Sequence, residues 1–545
     1  MSGGVKTVHQ PPVSRAVMNL AHLITQNARR FAQRDALIWG ERHWSWAQCE
    51  ARVSAMAQVL RDQGVQAGQT VLVHSKNSHE MFESMYAVFR IGAVWVPTNC
   101  RLMPDDVVYM AQCSGARLFL CQSDFAKHAA AVQQARPGTP VLWMEGNVPA
   151  PQQNTALSTL MAAYPQHHVD NAPVEADSPC WLFFTSGTTG KPKAAVLTHG
   201  QMGFVLNNHL SDLMPGLTEH DASLVIAPLS HGAGAHQMDV IARGATTVLM
   251  PSERFDIPVA FALIARHRIT NMFTVPTILK RLVEDPAVDE HDHSSLRYVI
   301  YAGAPMYGSD QALAQEKLGS VLVQYYGLGE VTGSITVLPP HLHTAEFAAA
   351  RPATCGIART GIQISIQDDA GKHLPAGEQG EVCVIGPAVF AGYLDNPEAN
   401  AKSFRQGWFL TGDMGWMDAE GFLYLTGRAS DMYISGGSNI YPREIEEKLL
   451  THEALHEVAI VGVPDPQWGE VGVAVCVTKP GMTLDEATLL AWMGERIARY
   501  KLPRRIFFWE ALPKSGYGKV PKRLVRDELQ HRGLIDASGH LKAGV

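Results

Sequence analysis

No C-x-x-C pair occurs among the eight cysteines of this 545-residue chain, which lie scattered from Cys49 to Cys476, several within apolar runs. Buried, reduced thiols are the default reading of that pattern. Equally missing are an opening with signal-peptide character and any uninterrupted apolar segment long enough to span a bilayer. The expectation is a cytoplasmic protein with no integral membrane segment. A basic excess is absent too: Lys+Arg 45 against Asp+Glu 52 leaves a formal net charge of −7. No general attraction to nucleic acid or anionic membrane follows, so any phosphate must be bound locally. The Walker spacing, with four residues between Gly and Gly-Lys-Ser/Thr, is also not found where glycines and lysines cluster.

What stands there instead is Thr185-Ser186-Gly187-Thr188-Thr189-Gly190-Lys191-Pro192-Lys193. Glycines permit close backbone approach, hydroxyls and ammonium groups add donors and positive charge, and such a loop can hold a polyphosphate. Cys180 to Phe184 reads as a buried strand entering the loop and Ala194 to Thr198 as one leaving it. A polar loop at strand ends is where α/β sheets bind ligands.

The length exceeds what one hydrophobic core supports, so two or more domains are expected. From Ala36 to about Lys280, apolar runs such as Thr70–His74 and Ala93–Pro97 alternate with helical periodicity, as over Ser78–Arg90. Further strands are expected at Leu224–Ala227, Thr246–Met250, Met272–Val275 and Tyr298–Tyr301, with helices at Pro258–Arg268 and Ser309–Lys317. That alternation predicts an α/β fold of parallel sheets with covering helices. Between Cys355 and Tyr393 shorter alternating strands surround the turn Asp368-Asp369-Ala370-Gly371, predicting a small antiparallel barrel or sheet. Beyond Arg428, helices at Glu444–Leu450 and Leu484–Arg499 and strands at Val458–Val463 and Val473–Val477 suggest a compact α+β lid, with a weakly structured tail after Arg532.

Four further motifs join the polar loop: Tyr325-Tyr326-Gly327-Leu328-Gly329-Glu330, Trp408 to Asp413 ending Thr-Gly-Asp, Gly427-Arg428-Ala429-Ser430-Asp431, and Lys514-Ser515-Gly516-Tyr517-Gly518-Lys519. In this order and spacing, from about Leu20 to Leu529, the chain resembles the adenylate-forming superfamily in its acyl- and aryl-CoA ligase branch. The resemblance implies a large domain over residues 1–429, a mobile C-terminal lid over 430–545, and a two-step reaction. A carboxylic acid is first joined to AMP from ATP, and coenzyme A then takes the acyl group.

The resemblance also implies roles. Thr185, Ser186, Gly187, Thr188, Thr189, Gly190, Lys191 and Lys193 would lie over the β- and γ-phosphates. Thr185 and Glu330 would position Mg²⁺, a hard cation suited to oxygen ligands. Asp413 would accept hydrogen bonds from the ribose hydroxyls, and Arg428 would contact ribose and phosphate. Gly303, Ala304 and Pro305 would line the adenine, with Tyr326 on its other face within Tyr325-Tyr326-Gly327. Lys519 would be the catalytic cation between carboxylate and α-phosphate. A hinge is expected at Ser430, and Gly436 and Gly437 would approach the pantetheine. Gly329 departs from the family, which has threonine there; Thr332 is one candidate substitute.

The resemblance extends to Pro228 to Gly234, where it implies that His231 takes the position of a gating aromatic beside the acyl pocket. Gly232, Ala233, Gly234 and Ala235 are expected to leave volume beyond it, with no nearby Arg or Lys to mark a second carboxylate. An apolar aryl, alicyclic or medium-chain fatty acid is the expected substrate. Loading of a separate carrier protein and non-catalytic nucleotide sensing are the alternative functions, and a homodimer is left open.

Overall fold

The computed structural model describes residues 14–146, 154–185, 191–252, 255–304, 306, 308–436, 438–515 and 519–542. Near-continuous apolar runs produce the strands Thr70–His74, Val94–Thr98, Leu118–Gln122 and Val141–Met144, buried on both faces and paired in parallel. Val94–Thr98 also meets Pro179–Thr185 at Trp95 and Trp181. That strand turns back as an antiparallel hairpin with Lys193–Thr198, pairing Thr185 with Lys193. The polar loop therefore joins the two arms of a hairpin on one side of a six-stranded sheet.

A second sheet carries fourteen strands among the described residues. Its parallel half contains Asp35–Trp39, Thr246–Leu249, Ala222–Val225, Asn271–Thr274, Tyr298–Tyr301 and Leu322–Tyr326 in spatial order. Antiparallel pairing begins at Thr336–Leu338 and continues through Thr354–Ala358, Phe422–Arg428, Trp408–Met417, Gly380–Ile385 and Gln363–Gln367. The expected antiparallel strands are present, hydrogen-bonded into the same sheet as the parallel ones. Gly371 donates its N–H to the Asp368 carbonyl at 2.9 Å, but the partner of Gln363–Gln367 lies further on, at Gly380–Ile385.

Helices follow local signals. Ser78 caps His79–Arg90 by accepting from the Met81 N–H, and Thr198 caps His199–Asp212 in a reciprocal capping box with Gln201. Helix Gly232–Ala242 starts at His231, whose Nδ1 accepts from the Gly232 N–H at 2.8 Å. No described helix is long and apolar enough to cross a membrane.

The C-terminal unit is built on the hairpin Leu455–Asp465 and Gly469–Thr478, with Arg505–Phe508 added in parallel. One face packs on Ile445, Leu449, Leu489 and Met493, the other on Val525 and Leu529. The helix expected over Leu484–Arg499 is confined to Glu486–Gly494. The tail corrects the sequence reading. Ile535 is buried with Trp509 and Leu529, and it bridges Leu541, because three apolar residues, Leu534, Ile535 and Leu541, find the second face of the hairpin.

Candidate active site

Antiparallel register places Asp413 opposite Arg428. Arg428 Nε lies 2.8 Å from Asp413 Oδ1, and the Tyr326 hydroxyl donates to Oδ2 at 2.6 Å. Burial, reinforced by the Asp413 charge, raises the Tyr326 phenol well above its ordinary value, so it stays a donor. Gly412 adopts a φ of 72°, and its N–H donates to Glu381 Oε1 at 3.1 Å. The carboxylate is thereby aimed by two neighbours before any ligand arrives.

Glu330 is held in the same manner. Thr185 Oγ1 and the Tyr393 hydroxyl both donate to its Oε1, at 2.8 and 2.9 Å, while its backbone carbonyl accepts from the Phe390 N–H at 2.8 Å. Lys193 Nζ stands 4.3 Å from the centre of the Tyr393 ring, and Lys191 Nζ 5.3 Å from that of Tyr109. Thr185 and Glu330 offer adjacent hard oxygen donors, a set that would fit a hard cation such as Mg²⁺. Tyr393 was not foreseen; its signal is the Gly-Tyr pair after the antiparallel strands, where Leu394 N bonds back to Ala194 O at 2.9 Å.

The decisive observation concerns Lys519, which the C-terminal unit delivers into this cluster. Its Cε lies 3.8 Å from the β-carbon position of Gly303, a residue at φ 86° beyond strand Tyr298–Tyr301. Arg428, Asp413 and Glu330 are its charged neighbours, and the Ser515 N–H donates to its carbonyl at 2.7 Å. Burial and then the Arg428 cation push the ammonium below the ordinary lysine value, while Asp413 and Glu330 pull it back. Protein surrounds the side chain, yet its surface remains accessible; it stands in an open cleft where water moderates these effects.

The AMP-binding enzyme family matches residues 24–394, and its C-terminal domain matches residues 444–519. Feruloyl-CoA synthase of Amycolatopsis sp is 34% identical over 503 residues, covering 92% of this chain and 97% of that protein. Indoleacetate--CoA ligase of Aromatoleum aromaticum is 34% identical over 522 residues, covering 95% and 100%. Among solved structures, o-succinylbenzoate CoA synthetase of Bacillus subtilis with its acyl-adenylate OSB-AMP aligns with a TM-score of 0.81 at 30% identity, covering 95% and 99%. The chain belongs to the AMP-binding enzymes, in their acyl-CoA ligase branch. It is an AMP-forming acid–thiol ligase.

Several site assignments of the ligase fall on Ser186, Gly187, Thr188, Thr189, Gly190, Pro305 and Gly437, which lie outside the described residues. Gly436 is exposed, and among the described residues only Trp468 comes within 4 Å of a β-carbon placed on it, at 2.8 Å. The structure thus gathers Lys519, Glu330, Asp413, Arg428, Tyr326, Thr185 and Gly303, and leaves Gly436 against the lid's own hairpin. Gly327 is a packing residue: a β-carbon there would lie 2.5 Å from the Gly333 backbone.

Two expectations need correction. A β-carbon at Gly329 would meet Phe183 Cε1 at 2.6 Å and Thr185 Cγ2 at 2.9 Å, so the ring of Phe183 fills the place of the missing threonine. Thr332 does not substitute, because its hydroxyl accepts from Gln201 Nε2 at 3.2 Å and faces Met202 Sδ at 3.7 Å. Tyr325 also parts from Tyr326, since alternate strand residues face opposite ways. Its ring lies 6.0 Å from Phe273 and 5.7 Å from His236, on the side of helix Gly232–Ala242 rather than that of Asp413.

His231 stands between the two regions. Its ring meets Phe183 edge-on at 4.6 Å, and burial with the Lys519 charge lowers its pKa to about 3, keeping it neutral. The four small residues after it do not all leave volume. A β-carbon at Gly234 would strike the Leu229 carbonyl at 2.2 Å, and Ala233 and Ala235 are core residues. Gly232 faces Phe273, at 3.0 Å from its β-carbon position. Buried Arg359 acts on His236, Asp239 and Tyr325, and it comes from a segment far downstream.

Proposed function

We propose that this ligase activates a carboxylic acid with an apolar aryl body and transfers it to coenzyme A in two steps. In the first, the acid's carboxylate oxygen attacks the α-phosphorus of ATP and pyrophosphate leaves; in the second, the thiol sulfur attacks the acyl carbonyl and AMP leaves. The reading is carried by Lys519 standing beside Gly303 with Arg428, Asp413 and Glu330 as neighbours. An ammonium there balances the negative charge of carboxylate and phosphate as they meet and fixes their angle. Asp413, aimed by Arg428 and Tyr326, accepts from the ribose hydroxyls, while Lys191 and Lys193 flank the loop over the outer phosphates. Thr185 and Glu330 would hold Mg²⁺, which supplies charge neutralisation at the phosphates when bound. Ala304 and Gly303 line the adenine.

Residues 430–545 act as the lid, hinged at Ser430, and withdraw Lys519 so that Gly436 and its neighbours can guide pantetheine. The aromatic acids named for the relatives support an aryl substrate, as do Phe183 and Phe273 beside His231 and Gly232. All eight cysteines are free, which suits a reducing cytoplasm.

Pyrophosphate release measured across a panel of aryl, alicyclic, fatty and short-chain acids, with and without coenzyme A, tests the reading. Release with aryl acids, followed by thioester and AMP only when coenzyme A is added, is the expected result. Turnover of acetate equal to that of benzoate would remove the aryl assignment, and release without thioester would favour an external carrier protein as acceptor.

A further inference from the structure

Residues 390–394 lie along Lys193–Thr198, the arm by which the chain leaves the polar loop. The Ala391 N–H donates to the Val196 carbonyl at 3.0 Å, the Val196 N–H to the Gly392 carbonyl at 2.9 Å and the Leu394 N–H to the Ala194 carbonyl at 2.9 Å, with Tyr393 opposite Ala195. In antiparallel pairing a residue flanked by such bonds turns its own N–H and C=O away from its neighbour. One side chain takes up both groups of Tyr393: Asn400 Oδ1 accepts from its N–H at 2.7 Å, and Asn400 Nδ2 donates to its carbonyl at 3.0 Å. Asn400 stands on helix Pro397–Ser403, where Asn396 caps by accepting from the Ala399 N–H. Gly392, at φ 116°, admits it closely, since a β-carbon there would lie 3.1 Å from Asn400 Oδ1. The backbone of Tyr393 is thus fixed along both edges.

The side chain mounted in this way reaches two parts of the site. Its ring meets Phe390 edge-on at 4.8 Å and carries Lys193 Nζ at 4.3 Å from its centre, a cation drawn to an aromatic face. Its hydroxyl donates to Glu330 Oε1 at 2.9 Å, and burial with the Glu330 charge raises the phenol, so it remains a donor. Thr185 Oγ1 reaches the same oxygen at 2.8 Å, and no hydrogen bond from a described residue reaches Oε2. A carboxylate oxygen has about two lone-pair sites, so Oε1 is filled and Oε2 is left open. Tyr109 makes the contrast. Lys191 Nζ lies 5.3 Å from its ring centre and its hydroxyl donates to the Pro192 carbonyl at 3.0 Å, so it steadies a lysine and the backbone but touches no acid.

Resting on the reading that Thr185 and Glu330 hold Mg²⁺, we infer that Tyr393 is the positioning residue of that site: its hydroxyl occupies Oε1 of Glu330 and leaves Oε2 for the cation, while its ring seats Lys193 for the outer phosphates. Thr185 is assigned to the cation itself. Tyr393 is therefore the donor that orients the carboxylate without being a ligand, and partners of that kind fix both ligand geometry and affinity. A carboxylate and an ammonium, carried by one phenol, are held at a set spacing.

Equilibrium binding of ATP in the absence of acid, measured by calorimetry in Mg²⁺ and again in EDTA, tests this. In Tyr393→Phe, which keeps the ring against Phe390 and Lys193, the Kd should rise about tenfold in Mg²⁺ and stay within about twofold in EDTA, the scale of one hydrogen bond to a charged ligand group. The Mg²⁺ concentration that half-activates adenylation should rise alongside, with the acid's KM unchanged. Asn400→Ala loosens the mount without touching Glu330 and should show the same loss, confined to Mg²⁺, at about two- to threefold. Tyr393→Leu, which lacks the ring as well, should also weaken binding in EDTA because Lys193 loses its seat. A gain from Mg²⁺ that survives Tyr393→Phe but disappears in Glu330→Gln overturns the inference and leaves the cation reading intact. A loss in Tyr393→Phe that is equally large in EDTA overturns it too, since the hydroxyl would then act on the fold and not on the carboxylate. If Glu330→Gln itself retains the gain, the cation reading falls and the inference with it.

Discussion

The nucleotide end and the acyl end of this site differ in what lines them. At the nucleotide end, Asp413 is held by Arg428 and Tyr326, and Glu330 by Thr185 and Tyr393, all within 2.9 Å. At the end that we assign to the acid, His231 meets Phe183 edge-on at 4.6 Å, and His236 stacks on Phe273 at 4.5 Å with Asp239 Oδ2 3.8 Å from its Nδ1. One end is preorganised by protein pairs, so its geometry is set before substrate enters and costs little reorganisation during the reaction. The other, in the reading proposed above, is walled by rings that would select an acid by its apolar body. On that reading, shared chemistry belongs at the first end and choice of substrate at the second.

The largest expected effect breaks the first end. Lys519→Ala should slow adenylation by about 10²–10³-fold, the scale for removing one group aimed at developing charge. Thioester formation from chemically prepared acyl-adenylate should change by no more than a few-fold, because in the reading proposed above the lid has withdrawn the lysine by then. A comparable loss in both half-reactions would mean that the residue acts through folding or lid position instead.

Gly329→Thr probes the seam between the two ends. Restoring the family's threonine would be expected to aid adenylation from sequence alone, but its β-carbon must enter the space of Phe183. Overpacking of this kind costs about 1–3 kcal/mol, so the variant should melt earlier and gain no rate. Adding Phe183→Leu should recover stability. An unchanged melting temperature in the single variant would show that the ring moves aside freely.

These contacts mark where the sequence stopped being informative. Thr185, Glu330, Asp413, Arg428 and Lys519 were legible because each sits in a short motif whose order along the chain is itself a signal, and alternating apolar runs foretold the sheets. Tyr393, Arg359 and the Phe183 ring over Gly329 were not, since each acts on a partner distant in sequence and only strand pairing brings them together. The same holds for the four small residues after His231. Smallness at Gly234 answers a backbone carbonyl, whereas smallness at Gly232 faces an aromatic wall, and composition cannot separate the two. The apolar tail residues Leu534, Ile535 and Leu541 were likewise unreadable until the hairpin that they cover was in place.

A smaller effect is expected from Tyr326→Phe. It removes the hydrogen bond to Asp413 Oδ2 but leaves the Arg428 pair, and one hydrogen bond to a charged group is worth about 1.5–3 kcal/mol at most. The KM for ATP should rise several-fold with little change in the acid's KM. If the acid's KM rises instead, Tyr326 belongs to the acyl end and the division drawn above is misplaced.

Least visible near neutrality, and most specific to the environment of Lys519, is the alkaline limb of the adenylation rate. The cation is the form that assists attack, so activity is complete below its pKa and is lost as pH rises through it. Burial and Arg428 lower that pKa from 10.5, Asp413 and Glu330 oppose them, and neutral His231 lies alongside. The rate should therefore begin to fall at a pH lower than an ordinary lysine would give. In Lys519→Arg, slower throughout because a planar fork replaces a point charge, the guanidinium stays protonated up to about pH 12 and the limb should vanish. A limb that persists unchanged in that variant would belong to another group. Arg428→Gln supplies the sign from the other side: without its repulsive neighbour the lysine pKa rises and the limb moves to higher pH, at the cost of weaker ATP binding.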